Sequence, residues 1–268
     1  MIKMIESIKI LHITKAAYEA GQKILEVYDT DFQVETKEDA SPLTLADQKS
    51  HEMIVKHLEQ HYPSIPILSE EGQHLPFEER NKWETLWIVD PLDGTKEFVN
   101  RNGEFTVNIA LAHQQKPILG VIYVPVKDEM YFSNQLGAFK VNQYSRHQLQ
   151  SEQDLLAVSD KIAVGHEGSY KVVASRSHLS LETETFVENL KKEHGNVEMI
   201  SAGSSLKFCL VAEGKANVYP RFAPTMEWDT AAGQAIVEAA GGEVVDAKTN
   251  QPLLYNKEQL VNSWFIVR

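Results

Sequence analysis

Apolar residues recur at intervals of three and four through Ile5, Ile8, Ala16, Ala20, Ile24 and Val27, and this period predicts an amphipathic helix over residues 2–28. Residues 32–39 read as extended. Ser41-Pro42 then leads into a second helical run through Met53, Ile54 and Leu58, which Pro63 and Pro66 end. Residues 65–68 and 86–89 are short apolar runs bounded by polar residues or proline, which predicts strands. Further strands are predicted at 105–112, 118–124 and 129–132, with turn signals at 114–117 and 127–128, and Gly137-Ala138-Phe139 begins another. Strands spaced this closely predict a meander. Residues 142–166 are mostly polar and suit a junction, dividing the chain into 1–150 and 151–268. Beyond it the rhythm alternates: strand 171–174, helix 181–193, strand 197–200, helix 204–213, strand 216–219, helix 230–239 and strand 242–245. That alternation predicts a three-layer α/β second half.

Composition narrows the class. The 268 residues are enough for a substantial core, and 43% hydrophobic with 24% charged residues argues against wholesale disorder. Cys209 is the single cysteine, so no intramolecular disulfide forms and zinc sites needing two cysteine ligands are excluded. The longest mostly apolar stretch, 118–126, is too short to span a bilayer, and the charged first residues do not read as a signal peptide. A cytoplasmic protein is the expectation, with attachment at the inner face of the inner membrane left open. A net charge of −12 lacks the field that holds bulk nucleic acid, so no nucleic-acid partner is expected. An anionic substrate would need local cations, and metal ions are the obvious supply.

The densest chemistry is Asp90-Pro91-Leu92-Asp93-Gly94-Thr95, at the end of a predicted strand. Pro91 removes a ladder donor, and Gly94 permits a left-handed turn, so Asp90 and Asp93 can face one point. Two carboxylates with oxygen-only partners suit Mg²⁺ or Mn²⁺, and the turn frees the Leu92 carbonyl to join them. An ordinary Asp-Gly turn, with Asp90 capping a helix, fits the same residues. Glu70 stands at a second predicted strand exit, in Ser69-Glu70-Glu71-Gly72. Asp229, in Glu227-Trp228-Asp229-Thr230-Ala231-Ala232-Gly233, opens a predicted helix at the cap position, and capping is compatible with metal ligation. Four carboxylates at element ends can hold two or three hard cations, a set that clamps a phosphate for in-line attack by water.

Residues 90–95, and Trp228-Asp229-Thr230 with Gly241-Gly242 downstream, resemble the two motifs of the lithium-sensitive, magnesium-dependent phosphatases, the inositol monophosphatase superfamily. The resemblance runs from Ser41 to Gly242. In the segments 41–47, 173–178, 203–208 and 227–233 it is finer, and is similar to the 3′(2′),5′-bisphosphate nucleotidase branch. It implies a five-layer αβαβα sandwich of the sugar phosphatase type, an α+β domain followed by a smaller α/β domain with the metals between them. It also implies Mg²⁺-dependent hydrolysis of the 3′-phosphate of adenosine 3′,5′-bisphosphate to AMP and phosphate, within sulfur metabolism. The related 3′-phosphoadenylyl sulfate is a further substrate in question. An inositol monophosphatase is the alternative within the class, and a regulatory protein-binding member of the superfamily is the alternative outside it. Monomer and homodimer both stay open.

Residue by residue, the resemblance implies that Glu70, Asp90 and the Leu92 carbonyl hold one Mg²⁺. Asp90, Asp93 and Asp229 would hold a second, and Glu70 would help a weaker third. Asp47 and Thr95, with Glu70, would orient and deprotonate the attacking water. Asp47 otherwise reads as a helix-surface charge. Glu70, Leu92, Asp93, Gly94, Thr95 and Asp229 would surround the cleaved phosphate. Ser204, Lys207 and Arg221, with His178 and Arg176, could grip a second phosphate or a ribose. Lys207 follows Ser204 by about one helical turn, although Lys207 and Arg221 also fit solvated surface charges.

Overall fold

The computed structural model describes residues 7–30, 42–73, 75–165, 168–174 and 180–268. Helix α1 runs over Ile10–Tyr28, and residues 2–6 of the expected helix lie outside the described residues. Residues 7–9 are not helical, and the Lys9 N–H donates instead to the Tyr62 hydroxyl at 2.9 Å. Helix α2, Pro42–His61, opens on a proline, which loses nothing at a first helical position because its N–H would have no partner there. The extended segment expected at 32–39 lies outside the described residues.

Short strand β1 (Ile67–Ser69) pairs in parallel with β2 (Thr85–Asp93), joined to it through the one-turn helix α3 (Phe77–Arg80). Helix α4 (Thr95–Val99) leads to β3 (Thr106–His113), β4 (Lys116–Val124), β5 (Glu129–Asn134) and β6 (Gly137–Asn142), all antiparallel as the meander reading expects. Gln114 and Gln115 both carry positive φ, the tight hairpin geometry that matches strand twist. The polar run after 142 carries α5 (Glu152–Ala157) and β7 (Asp160–Ile162), which pairs on β6. Among the described residues these seven strands form one sheet in sequence order.

The rest follows as β8 (Tyr170–Ala174), α6 (Leu181–His194), β9 (Val197–Ser201), α7 (Leu206–Ala212), β10 (Tyr219–Arg221), α8 (Glu227–Ala239), β11 (Val244–Asp246) and β12 (Phe265–Val267). β8 and β9 pair in parallel, and β10-β12-β11 is antiparallel. A parallel bridge between Val172 and Val218 joins the two sets into a second layer. Strand β10 starts three residues later than the pattern suggests, with the Val218 bridge directly before it. Helix α7 starts at Leu206 instead of 204, because Ser204 has φ +42, which no right-handed helix contains.

Burial follows the alternation of β2. Trp87 and Val89 pack with Ile13, Ile24 and Ile54 of α1 and α2. Leu86 and Ile88 pack on the opposite face with Phe208, Ala232 and Ile236 of α7 and α8. A third cluster sets Val187 of α6, with Phe186 and Leu190 beside it, against Val172, Val197 and Val218. Helices, sheet, helices, sheet and helix therefore stack in the five-layer order expected. Gly120 brings the third layer close: a Cβ there would stand 2.3 Å from the Ala232 carbonyl oxygen of α8. Among the described residues no helix is long and apolar enough to cross a membrane.

Candidate active site

Two strand exits lie side by side. Strand β2 runs on through Pro91 to Asp93 instead of stopping at the proline, with a register shift between Asp90 and Asp93 that absorbs the missing donor. Within that irregularity the Asp90 carboxylate turns back and accepts from the Leu92 N–H at 3.1 Å. Gly94 then takes φ +97, the left-handed turn expected of it, and exposed Thr95 begins α4. At the neighbouring exit the Glu70 N–H donates to the Val89 carbonyl at 3.1 Å, placing Glu70 beside Asp90. Helix α2 is tied to both. Ser50 Oγ donates to the Pro91 carbonyl at 2.7 Å, and His51 Nδ1 lies 2.9 Å from Ser69 Oγ. Asp47, one turn earlier on α2, faces Glu70 and Glu71 electrostatically.

Asp229 stands third in α8, and Met226 occupies the cap position that the sequence reading gives to the aspartate. Its Oδ2 accepts the Met226 N–H at 2.9 Å, so the carboxylate satisfies a helix-end donor from inside the first turn.

Electrostatics unite these groups. Burial pushes Asp90 well above the usual carboxylate range, and Asp93, Glu70, Asp229 and Asp47 add to the shift. Burial, followed by Asp93, lifts Asp229 to about 7. Burial, with Glu71 and Glu70, lifts Asp47 to about 8, which sets aside the reading of Asp47 as a plain surface charge. Glu70 is raised by its surroundings, then by Asp93 and Glu71. Asp47, Glu70, Asp90 and Asp229 are each raised by burial first and by neighbouring carboxylates after it, so the cluster lacks positive charge.

A cleft of about 140 Å³ opens between the halves, with Asp93 and Gly94 on one wall and Ser204, Lys207, Arg221 and Asp229 on the other. Lys207 is 5% exposed, far from a solvated charge. Its Nζ donates to the Ser204 carbonyl at 2.6 Å, pinning the strained turn, and burial brings its ammonium down to about 8. Arg221 donates one Nη to the Pro224 carbonyl, while its buried Nε has no partner among the described residues. His178 and Arg176 lie outside the described residues. Phe208 belongs to the core and Leu210 packs against it, although Phe208 also reaches the cleft.

The sequence reading passes over Ser205 and Asn108. Ser205 Oγ lies 2.7 Å from Asp93 Oδ2 and 2.9 Å from the Asp229 carbonyl, and it accepts from Asn108 Nδ2 at 2.9 Å. A polar residue inside the apolar run of β3 is the signal that marks Asn108. Lys96 and Glu97, also on the cleft wall, directly follow the first motif.

The donor set fits magnesium: oxygen ligands only, several carboxylates, and a deficit of positive charge that burial makes costly. As they stand, no three acidic or histidine side chains among the described residues form a closed cage. One oxygen each of Asp90, Asp93 and Asp229 is engaged by a protein donor, leaving the other oxygen as the potential ligand.

Fold and site together define a sugar-phosphatase-type sandwich with an acidic cleft between its sheets. The chain matches the inositol monophosphatase family over residues 6–265 and belongs to that family. It is 44% identical over 257 residues to the 3′(2′),5′-bisphosphate nucleotidase CysQ of Salmonella typhimurium strain LT2, covering 95% of this chain and 97% of that one. The protein of that name from Haemophilus influenzae is 34% identical over 258 residues, covering 94% and 89% of the two chains. Among solved structures, CysQ from Bacteroides thetaiotaomicron superposes with a TM-score of 0.91 at 52% identity, over 98% of each chain. An inositol monophosphatase from Zymomonas mobilis shares the fold, with a TM-score of 0.72 at 22% identity over 94% of this chain and 89% of that one.

Proposed function

We propose that this chain is a 3′(2′),5′-bisphosphate nucleotidase that hydrolyses the 3′-phosphate of adenosine 3′,5′-bisphosphate to AMP and phosphate. The same site would accept 3′-phosphoadenylyl sulfate, placing the enzyme in sulfur metabolism. The observation that carries this reading is the pairing, across one cleft, of the Asp93–Asp229 carboxylates with Lys207 and Arg221. Carboxylate-held metal serves the phosphate being cleaved, and separate cations serve the second one. Close likeness to CysQ nucleotidases along nearly the whole chain supports it. An inositol monophosphate carries no second phosphate and leaves the arginine without an anionic partner.

Magnesium dependence is implied by family membership. Glu70, Asp90 and the Leu92 carbonyl would hold one ion, and Asp90, Asp93 and Asp229 a second, with Glu70 contributing to a third. Bound magnesium supplies Lewis-acid stabilisation of the phosphoryl and leaving oxygens. The protein's own part begins with Thr95, whose hydroxyl orients the attacking water at the start of α4. Asp47 accepts the proton; its carboxyl, which burial raises to about 8, would be lowered toward a useful base by bound magnesium. Gly94 lets the turn approach Ser204 closely, and both line the cleft that would receive the phosphate. Residues up to 150 supply Asp47, Glu70, Asp90 and Asp93, and residues from 151 supply Ser204, Lys207, Arg221 and Asp229, so the site has two parts.

The test is incubation with adenosine 3′,5′-bisphosphate, with and without Mg²⁺, followed by separation of the products. AMP and inorganic phosphate in equal amounts, formed only with Mg²⁺, are expected. Adenosine 3′-phosphate as the product, or equal release in chelator, would overturn the reading.

A further inference from the structure

Ser205 occupies the N-cap position of α7, yet its hydroxyl makes no capping bond to that helix. It points across the cleft to Asp93 instead. The hydroxyl has one hydrogen and two acceptors in reach, the Asp93 carboxylate at 2.7 Å and the Asp229 carbonyl at 2.9 Å. The carboxylate oxygen is nearer, so the proton belongs to it. Asn108, on the middle of β3, donates into the same oxygen at 2.9 Å, and its amide lies 3.5 Å from Asp93 Oδ2. The amide nitrogen must face the carboxylate, because its oxygen would repel it. Asn108 Oδ1 is left buried without a partner among the described residues. A buried amide with an unsatisfied oxygen weakens a fold. Asn108 therefore sits where stability alone would favour an apolar side chain.

We propose that Asn108 and Ser205 are positioning residues that hold one oxygen of Asp93, turn the other toward the cleft, and keep Asp93 in register with Asp229. The chain Asn108→Ser205→Asp93 crosses from β3 to α7 and back to β2, and touches α8 at Asp229. It joins elements that come from both halves at the point where their carboxylates meet. The proposal rests on reading the cleft as a magnesium site.

Titration of Mg²⁺ into the substrate-free protein, followed by calorimetry, tests it in Ser205→Ala, Ser205→Thr and Asn108→Leu beside the wild type. Loss of an outer-shell partner is expected to weaken Mg²⁺ binding by about 10–100-fold in Ser205→Ala and Asn108→Leu. Ser205→Thr, which keeps the hydroxyl, is expected to remain near wild type. Metal-free Asn108→Leu is expected to melt no lower than wild type, an outcome that a purely structural role for Asn108 does not give. Wild-type Mg²⁺ affinity in both Ser205→Ala and Asn108→Leu would overturn the proposal, as would a clearly lower melting temperature of metal-free Asn108→Leu. A wild-type protein that binds no Mg²⁺ would overturn the magnesium reading itself, and the proposal with it.

Discussion

Asp93 carries more of the site than any other side chain: it faces the cleft, accepts from Ser205, and raises both Asp90 and Asp229. Asp93→Asn is expected to lower kcat by more than the 10–100-fold typical of an outer-shell partner, while the metal-free protein melts at or above the wild-type temperature. Steady-state kinetics at saturating Mg²⁺ and a thermal scan check the two halves of that statement. The raised carboxyls make a second one. Asp47 at about 8 and Asp229 at about 7 bind protons more tightly folded than unfolded, where the ordinary value is 3.8. Their contribution to stability is therefore fully present below about pH 4 and is lost as pH rises toward 8. The metal-free protein is expected to melt progressively lower from pH 5 to 8. Mg²⁺ at about 100 times its Kd should restore roughly 2.7 kcal/mol at pH 8. A melting temperature independent of both pH and Mg²⁺ would contradict this. At the residue scale the acidic motifs were legible because residue type and spacing announce a hard-cation site. Which of two adjacent serines faces Asp93 was not, since that depends on the positive φ of Ser204.

Helix α8 matters to the site through where it lies on the sheet. Gly120 permits the approach, and Gly120→Ala would push a methyl group into the Ala232 carbonyl, one turn along from Asp229. Overpacking of this kind costs about 1–3 kcal/mol, and each kcal/mol lowers the melting temperature by roughly 2–4 °C in a chain of this size. A thermal scan and a Mg²⁺ titration are expected to show both lower stability and weaker metal response. Unchanged values in both would mean that the helix adjusts freely. Most elements were legible because long buried strands such as β3 and β4 and the amphipathic α1 carry strong periodicity. Strand β12 was not: three residues, Phe265–Val267, are too few to show a period, and they become a strand only because β10 and β11 flank them. The one-turn helices α3 and α4 were missed for the same reason.

The two sheets share the helical layer between them, and one buried ion cluster ties the first sheet to that layer at the far end of α7. Lys140 of β6 bonds Glu129 of β5 at 2.8 Å and Glu213, just past α7, at 3.2 Å, and the lysine and Glu213 are both buried. Lys140→Ala would leave Glu129 without its lysine, while Glu213 keeps Lys215 at 3.0 Å, and a loss of about 1–3 kcal/mol is expected in denaturant unfolding. Unchanged stability would show that water replaces the ammonium there. At the scale of the molecule, alternation along the sequence was enough to suggest a meander half and an alternating half. The bridge from Val172 to Val218 was not legible, because it depends on tertiary packing between short strands. The central claim is that the cleft recognises a second phosphate besides the one it cleaves. Its most direct test is kcat/KM for adenosine 3′,5′-bisphosphate and for inositol 1-phosphate, in the wild type and in Arg221→Ala. An arginine–phosphate contact worth about 1.5–3 kcal/mol predicts a wild-type preference for the nucleotide that falls roughly ten- to hundredfold in the variant, with the inositol phosphate rate unchanged. Equal losses on both substrates, or a wild-type preference for inositol phosphate, would contradict it.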